Sequence, residues 1–394
     1  MFKEILKLLL FFFLRLIPKD KNLLVFGDRA GKRFADNSRY LFLYLSKNYR
    51  EIKCIWVTKE KKIFEYLNNK KLNCVYSNSL KGFYYTLRAK YHLFNFVEED
   101  INKFTTYFSD CILLWHGVLP KKLSIPDKHH QKNFANKNLD KFLIYPNKMM
   151  AQNILNHFVD KKYELFVSGL PRNILLNSNE NNDDDDYYRT DDENKFLKEI
   201  KKKNRKIIGY FPTWREDGLE LFRDIKNFDQ LKEFNEILKK NNLSILIKKH
   251  MNSEKKDTHR FYNANIEKIY EYMKLLSNFE FVEYDFDLNS ILKCCDVLIS
   301  DYSGVIFDYL LLDRPIIIYA PDYENYLKKG FSMDPTKGNF CYFAKDFNQL
   351  QNLINDYSRN KKDFNDSHKK NREKIRNIIF AENNIEKLIK LITN

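Results

Sequence analysis

Cysteine is scarce and unpatterned. The six thiols Cys54, Cys74, Cys111, Cys294, Cys295 and Cys341 show no C-x-x-C spacing, and most fall inside apolar runs. They read as reduced, buried thiols of a cytosolic protein. The adjacent pair Cys294 and Cys295 makes a poor redox couple, because neighbours in a helix point in different directions. A long apolar run is missing as well. The stretch Ile5 to Ile17 is broken by Lys7 and Arg15, and it is shorter than the ~20 residues a spanning helix needs. It also lacks a small-residue cleavage site: Pro18, Lys19 and Asp20 lead straight into the strand-like NLLVFG, which argues against a secretory signal. Aromatic residues reach 15%, yet no RNP-like pattern or repeated basic-aromatic stripe accompanies them, so nucleic acid is not an expected partner.

What is present is length and positive charge. A chain of 394 residues that is 44% apolar is long enough for two cores. The formal net charge is +15, and residues 180–193 hold eight acids against Arg189 alone, a local −7, so the remainder carries +22. By charge alone such a surplus suits nucleic acid, an anionic membrane surface or phosphate-rich substrates; an AT-rich genome, which favours lysine codons, is the bland alternative. Lys3, Lys7, Arg15, Lys19 and Lys21 flank the apolar N-terminal residues. Residues 1–20 are therefore expected to form an amphipathic, membrane-associating helix lying in the headgroup region, or else a first helix packed on the protein itself.

Beyond the N-terminus, short apolar runs alternate with longer amphipathic ones, the pattern of a parallel sheet with crossover helices. Strands are expected at 22–27, 53–57, 73–76, 91–96, 111–115, 142–145 and 164–169, and again at 205–211, 244–250, 279–283, 296–300 and 315–320. Helix-like stretches include Ser38 to Lys47 and Lys61 to Asn68. The predicted organisation is α/β, with an N-terminal Rossmann-like domain over 21–176, an exposed acidic linker over 177–203, a C-terminal Rossmann-like domain over 204–345 and a helical tail over 346–394. A ligand of such a double-Rossmann protein would lie in the cleft between domains, at the carboxyl ends of the strands.

The candidate site residues all sit at such ends. His116 follows CILLW directly, where an imidazole can take a proton from a hydroxyl nucleophile; Gly117 lets the backbone turn, and Lys121 and Lys122 add charge. A satisfied structural histidine remains the alternative. Lys248, Lys249 and His250 end SILIKKH and suit a diphosphate, unless they are plain surface lysines beside an exposed histidine. Pro212 and Thr213 follow KIIGY, with Arg215 after them, and Arg172 in GLPRN could offer a guanidinium fork to phosphate. In ISDYSGVIFDYLLLDRP, DVLIS leads to Asp301 and Ser303. A helix expected from about Ser303 would present free N–H groups to a phosphate, and Gly304 would let the ligand approach. Asp183 to Asp186 lie in a polar tract with no rigid frame for metal ligands.

The order of these motifs resembles the CDP-glycerol glycerophosphotransferase family, the primases and polymerases of teichoic acids and related capsular phosphopolymers. The resemblance rests on LLVFGDRAGKRFADNSRYLFLYL, WHGVLPKKL, VSGLPRN, GYFPTWRED, IKKH and CCDVLISDYSGVIFDYLLLDRPIIIYAPDYENY. It implies a GT-B fold, two Rossmann-type domains facing a central cleft, and transfer of glycerol phosphate from CDP-glycerol to a hydroxyl of a lipid-linked glycan or polyol-phosphate acceptor, with release of CMP. By motif, His116 would be the general base and His250 a second catalytic histidine. Gly117, Val118, Leu119, Arg172, Pro212, Thr213, Lys248, Lys249, Ser303, Gly304 and Asp308 would line the donor phosphates. The chain departs from the family in two places. Val118, Leu119 and Pro120 stand where Thr-Pro usually follows HG, and Gly304 replaces the second serine of a Ser-Ser pair, so CDP-ribitol or another CDP-polyol is an alternative donor.

The expectation is thus a peripheral transferase at the cytoplasmic face of the membrane, with no metal and no cofactor besides its CDP-linked substrate, its homo-oligomeric state left open. Its rivals are a GT-B glycosyltransferase using a nucleotide sugar and a non-catalytic membrane-associated scaffold.

Overall fold

The computed structural model describes residues 13–120, 141–155, 163–178, 183–213, 222, 224–225, 227–248 and 264–393. The chain divides into two compact units: Met1–Gly117 with Leu123–Ile174 and Phe380–Asn394, and Val118–Lys122 with Leu175–Ile379.

In the first unit, seven strands form one parallel sheet: β1 (Asp20–Gly27), β2 (Lys53–Thr58), β3 (Cys74–Tyr76), β4 (Ala89–Phe94), β5 (Asp110–Leu113), β6 (Lys141–Tyr145) and β7 (Glu164–Val167). Their order is β3-β2-β1-β4-β5-β6-β7, with every pairing parallel. A parallel sheet is covered on both faces, so its strands read as unbroken apolar runs; Leu24, Val25 and Phe26 of β1 are fully buried. Helix α1 (Asp36–Asn48) packs on β1 and β2.

The second unit repeats the plan with β8 (Lys206–Tyr210), β9 (Leu243–Ile247), β10 (Phe279–Phe281), β11 (Val297–Ser300), β12 (Ile316–Tyr319) and β13 (Tyr342–Ala344). These are ordered β10-β9-β8-β11-β12-β13, again all parallel. All five residues of β9 are buried. Helix α6 (Phe347–Arg359) begins where the Asp346 carboxylate accepts from Gln349 N at 2.8 Å, a cap for an otherwise unsatisfied donor. It turns Phe347, Leu350, Ile354 and Tyr357 into the core, the spacing of one helical face. In both sheets the order reverses beside the first strand, at β1/β4 and at β8/β11. Crevices at the carboxyl ends of such switch points are where doubly wound proteins bind ligands.

Every expected strand is present within a few residues, and β13 adds one that sequence reading missed. Three expectations need correction. The acidic stretch is not an exposed linker. Helix α3 (Asp191–Lys202) starts with a capping box, in which Thr190 Oγ1 accepts from Glu193 N at 3.2 Å and Glu193 Oε2 accepts from Thr190 N at 2.9 Å. Glu193 is buried and also accepts from Asp287 N at 2.7 Å. Ahead of α3, the Lys293 ammonium meets Asp185 Oδ2 and Ser178 Oγ, each at 2.7 Å, and Arg189 pairs with Asp185 at 3.6 Å. The acids enter the fold because their partners come with them.

Nor is the tail a single module. Helices α6, α7 (Lys361–Asp366) and α8 (Lys369–Ile379) belong to the second unit, whereas α9 (Ile385–Thr393) belongs to the first. There Tyr44 Oη donates to Glu386 Oε1 at 3.2 Å. The helix expected from about Ser303 to present its N-terminus to a phosphate is only α5 (Val305–Tyr309), five residues that pass into a 3-10 turn at Leu310–Leu312. So short a helix carries little macrodipole. Of the expected N-terminal helix, residues 1–12 lie outside the described residues, and β1 has begun by Asp20.

Lys293→Ala leaves the Asp185 carboxylate without its ammonium, with the two side chains only 7% and 11% exposed. Breaking a buried pair from one side destabilises by about 3 kcal/mol, so denaturant unfolding is expected to show a loss near that size. An unchanged midpoint would mean that the Lys293–Asp185 pair contributes nothing to the stability of the second unit.

Candidate active site

The switch point of the first unit is built from the loops after β1, β4 and β5. Beyond Gly27 the chain passes through Arg29, Ala30 and Gly31, all left-handed at φ 47°, 57° and 77°. Asp100 holds this turn: its Oδ1 accepts from Ala30 N and its Oδ2 from Phe96 N, both at 2.8 Å. One carboxylate thereby ties the loop after β1 to the loop after β4. Burial raises the Asp100 carboxyl to about 6, against three backbone N–H bonds that lower it.

Asp28 is buried and accepts from Asn95 Nδ2 at 2.9 Å. Burial, then the charges of Asp100 and Asp36, push its carboxyl up to about 8. Asn95 Oδ1 in turn accepts from Ser38 N and Oγ, each at 3.1 Å.

His116 stands at the end of β5. Its ring stacks on Phe96 at 4.3 Å between centroids and 11° between planes, and the Arg29 guanidinium lies 3.6 Å from the same Phe96 centroid. Trp115, the residue before it, is left-handed at φ 58°, and Gly117, the residue after it, has φ 109°. A bulky residue in that region is uncommon and persists where the surroundings hold it. Here Asn37 Nδ2 donates to Trp115 O at 2.9 Å, and Arg172 Nη1 donates to His116 O at 2.7 Å. His116 is half-buried, unlike His92, which is fully buried with Nε2 on Thr86 O at 2.8 Å and Nδ1 on Thr106 Oγ1 at 3.0 Å. Burial lowers the His92 pKa to about 3, so His92 is a neutral structural group.

In the second unit the loops after β8 and β11 are tied in the same manner. Asp301 Oδ1 accepts from Thr213 N at 2.9 Å, Thr213 Oγ1 at 2.5 Å and Tyr302 N at 2.6 Å. Tyr302 stacks on Tyr326 at 3.9 Å. Ser303 and Gly304 are half-buried, while Asp308 is 1% exposed.

The structure brings His116, Gly117 and Arg172 together in the first unit. In the second it brings Val118 and Leu119 against Gly304, where a Cβ would lie 2.3 Å from Val118 O and 3.8 Å from Leu119 Cδ2. Gly304 therefore opens room for a protein carbonyl. Pro212 and Thr213 stand at the end of β8 and are buried. Lys248 turns inward, its ammonium donating to Glu283 O at 3.0 Å and Tyr284 O at 3.1 Å, so it braces the chain after β10. Lys249, His250, Lys121, Lys122 and Arg215 lie outside the described residues. Sequence reading assigned no role to Asp28, Arg29, Asp36, Asn37, Asn95 or Asp100. The signal was available, since the polar run DRAGKRFADNS begins where β1 ends.

Two Rossmann-type sheets with polar loops gathered at both switch points give the protein a GT-B-like α/β fold. The chain matches, over residues 9–393, the family described as CDP-glycerol:poly(glycerophosphate) glycerophosphotransferase, and it belongs to that family. It is 29% identical over 354 residues to the teichoic acid poly(glycerol phosphate) polymerase of Bacillus spizizenii, covering 81% of this chain and 79% of that one. It is 26% identical to the teichoic acid glycerol-phosphate transferase of Staphylococcus aureus, with the same 81% and 79% coverage. The fold matches that of the wall teichoic acid polymerase TagF at a TM-score of 0.67 and 20% identity, over 95% of this chain and 89% of that one.

The Asp28 environment predicts a pH effect. The folded protein keeps this proton up to about pH 8, whereas an ordinary aspartate loses it near 3.8. The folded state therefore binds the extra proton, and this group withdraws stability as pH rises between those values. Asp28→Asn mimics the protonated form. Its melting temperature relative to wild type is expected to climb from pH 4 to pH 8 and level off above; parallel profiles would show Asp28 ionising as an exposed acid does.

Proposed function

We propose that the chain moves glycerol phosphate from CDP-glycerol onto a hydroxyl of a membrane-linked polyol-phosphate or glycan acceptor, in the synthesis of a teichoic-acid-like or capsular polymer. The acceptor oxygen bonds to the phosphorus that carries glycerol, the bond from that phosphorus to the CMP oxygen breaks, and CMP leaves. His116 takes the acceptor proton. The observation that carries this reading is the setting of His116: a half-buried imidazole at a strand's carboxyl end, stacked on Phe96 of the switch-point loop in a chain of this family. Cationic and hydrogen-bonding groups would stabilise the charge spread over the equatorial oxygens. Ser303, half-buried after β11, remains a candidate donor contact.

We further propose that no resident metal or cofactor takes part.

The test is CMP release by the full chain from CDP-glycerol in the presence of a lipid-linked acceptor, with EDTA in a parallel arm. Release unaffected by EDTA is expected, and His116→Ala should lose roughly 10²–10⁴-fold, the usual weight of a general base. Turnover of CDP-ribitol alone would change the donor. Turnover of a UDP- or GDP-sugar with no release from either CDP-polyol would replace the reading with glycosyl transfer, and full activity in His116→Ala would remove the base assignment.

Among the described residues no helix is long and apolar enough to cross a membrane. We infer peripheral attachment at the cytoplasmic face through the basic, apolar N-terminus. Phe13 and Leu16, at its described end, are 68% and 76% exposed. Deleting residues 1–18 is expected to weaken binding to anionic liposomes, most at low salt. Equal binding before and after deletion would refute the anchor.

A further inference from the structure

Arg172 sits at the carboxyl end of β7, and its guanidinium lies over Gly117. A Cβ at that glycine would fall 1.8 Å from Nη2 and 2.6 Å from Cζ. Nη1 donates to His116 O at 2.7 Å and pairs with Asp36 Oδ1 at 3.2 Å. The main chain of the same residue is fixed as well, because Arg172 N donates to Asn37 Oδ1 at 3.0 Å and Asn37 Nδ2 reaches Trp115 O at 2.9 Å. The Arg172 and Asp36 side chains are 10% and 20% exposed.

We propose that Asp36 and Arg172 form a positioning pair that clamps the carbonyl of His116, setting the imidazole for proton transfer, and that Arg172 is not a ligand of the donor phosphates. The proposal rests on the reading of His116 as the base. A phosphate-binding arginine offers its planar fork and its net charge to the ligand. Here one arm of the fork holds a neutral carbonyl, and Asp36 neutralises the charge. The turn it holds needs holding: left-handed Trp115, His116 and left-handed Gly117 follow one another, and only a glycine at 117 leaves space for the guanidinium. Base catalysis depends steeply on such placement, a displacement of 1 Å costing on the order of 10²-fold in rate.

The experiment compares the full-length chain with R172Q, R172K and D36N, measuring CDP-glycerol affinity by calorimetry, CMP release kinetics and the unfolding midpoint. Expected are Kd and KM for CDP-glycerol within about twofold of the unaltered chain and kcat lower by roughly 10–100-fold. R172K should lose nearly as much as R172Q, since a lysine side chain ends one bond short of Nη1, the nitrogen that contacts both the carbonyl and the carboxylate. In an H116A background R172Q should slow the residual reaction no further, because the pair acts through that residue. A tenfold or greater rise in Kd for R172Q or R172K, or an additive loss in the H116A background, overturns the proposal. If R172Q does not fold, D36N and R172K give the same two readings. Failure of the functional reading shows elsewhere, as absence of CMP release by the unaltered chain.

Discussion

At each switch point a single buried carboxylate accepts backbone N–H groups from the two loops that flank it. Asp100 takes Ala30 N and Phe96 N in the first unit, and Asp301 takes Thr213 N and Tyr302 N in the second. Parallel strands deliver their loops to one edge of the sheet, but adjacency alone does not order them: the first residues after a strand have no ladder partner, and buried amides left unsatisfied are costly. A carboxylate between the loops satisfies several donors at once and fixes their spacing. The same solution appears in both units, on aspartates of unrelated local sequence, EEDIN and LISDY. Everything placed on those loops, from Arg29 and Phe96 to Tyr302 and Ser303, inherits its position from these two acids.

The His116 turn illustrates what such a frame supports. Trp115 and Gly117 both adopt positive φ, and the turn is held by Asn37 and Arg172 from outside the strand that carries it. Phe96 supplies the remaining restraint: its ring stacks on the imidazole and carries the Arg29 guanidinium. A cation over the aromatic face adds attraction and fixes the ring against which His116 rests. Imidazole, ring and cation thus derive from β5, β4 and β1, and Arg172 from β7. Four strand ends converge on one imidazole, which is why no local stretch of sequence could have shown the arrangement.

Legibility followed the same division. The strands were plain in the sequence because a doubly covered parallel sheet leaves a continuous apolar signature, as in LSILI and IIIY, where every residue is buried. The position of His116 and Gly117 at a strand's carboxyl end was legible because they follow such a run immediately. Lys248 was misleading for the same reason, since its position at a strand tip says nothing of where a four-carbon stem turns, and it turns to two carbonyls. The acidic stretch misled more deeply. Composition counted Asp183 to Asp186 and Asp191 to Glu193 as solvated, while the cation that admits Asp185 to the interior, Lys293, is more than a hundred residues away. A charge run marks exposure only when no partner is built elsewhere in the chain, and the partner is invisible to local reading.

The two departures from the family pattern meet in the structure. Val118 follows His116 and Gly117 where a threonine is usual, and Gly304 stands where a serine is usual; in sequence these are independent losses of a hydroxyl. In the structure the missing Cβ of Gly304 faces the Val118 carbonyl at 2.3 Å, closer than any real side chain could come. Pro120, two residues on, is fastened as well, its carbonyl accepting from Ser332 N at 2.8 Å and Met333 N at 3.0 Å. The chain at 118–120 therefore runs where a serine at 304 would have to be, and the glycine is a condition of that path. The chain conformation at Val118 and the residue at 304 are coupled by contact, so restoring the serine alone would displace the segment that leads away from His116.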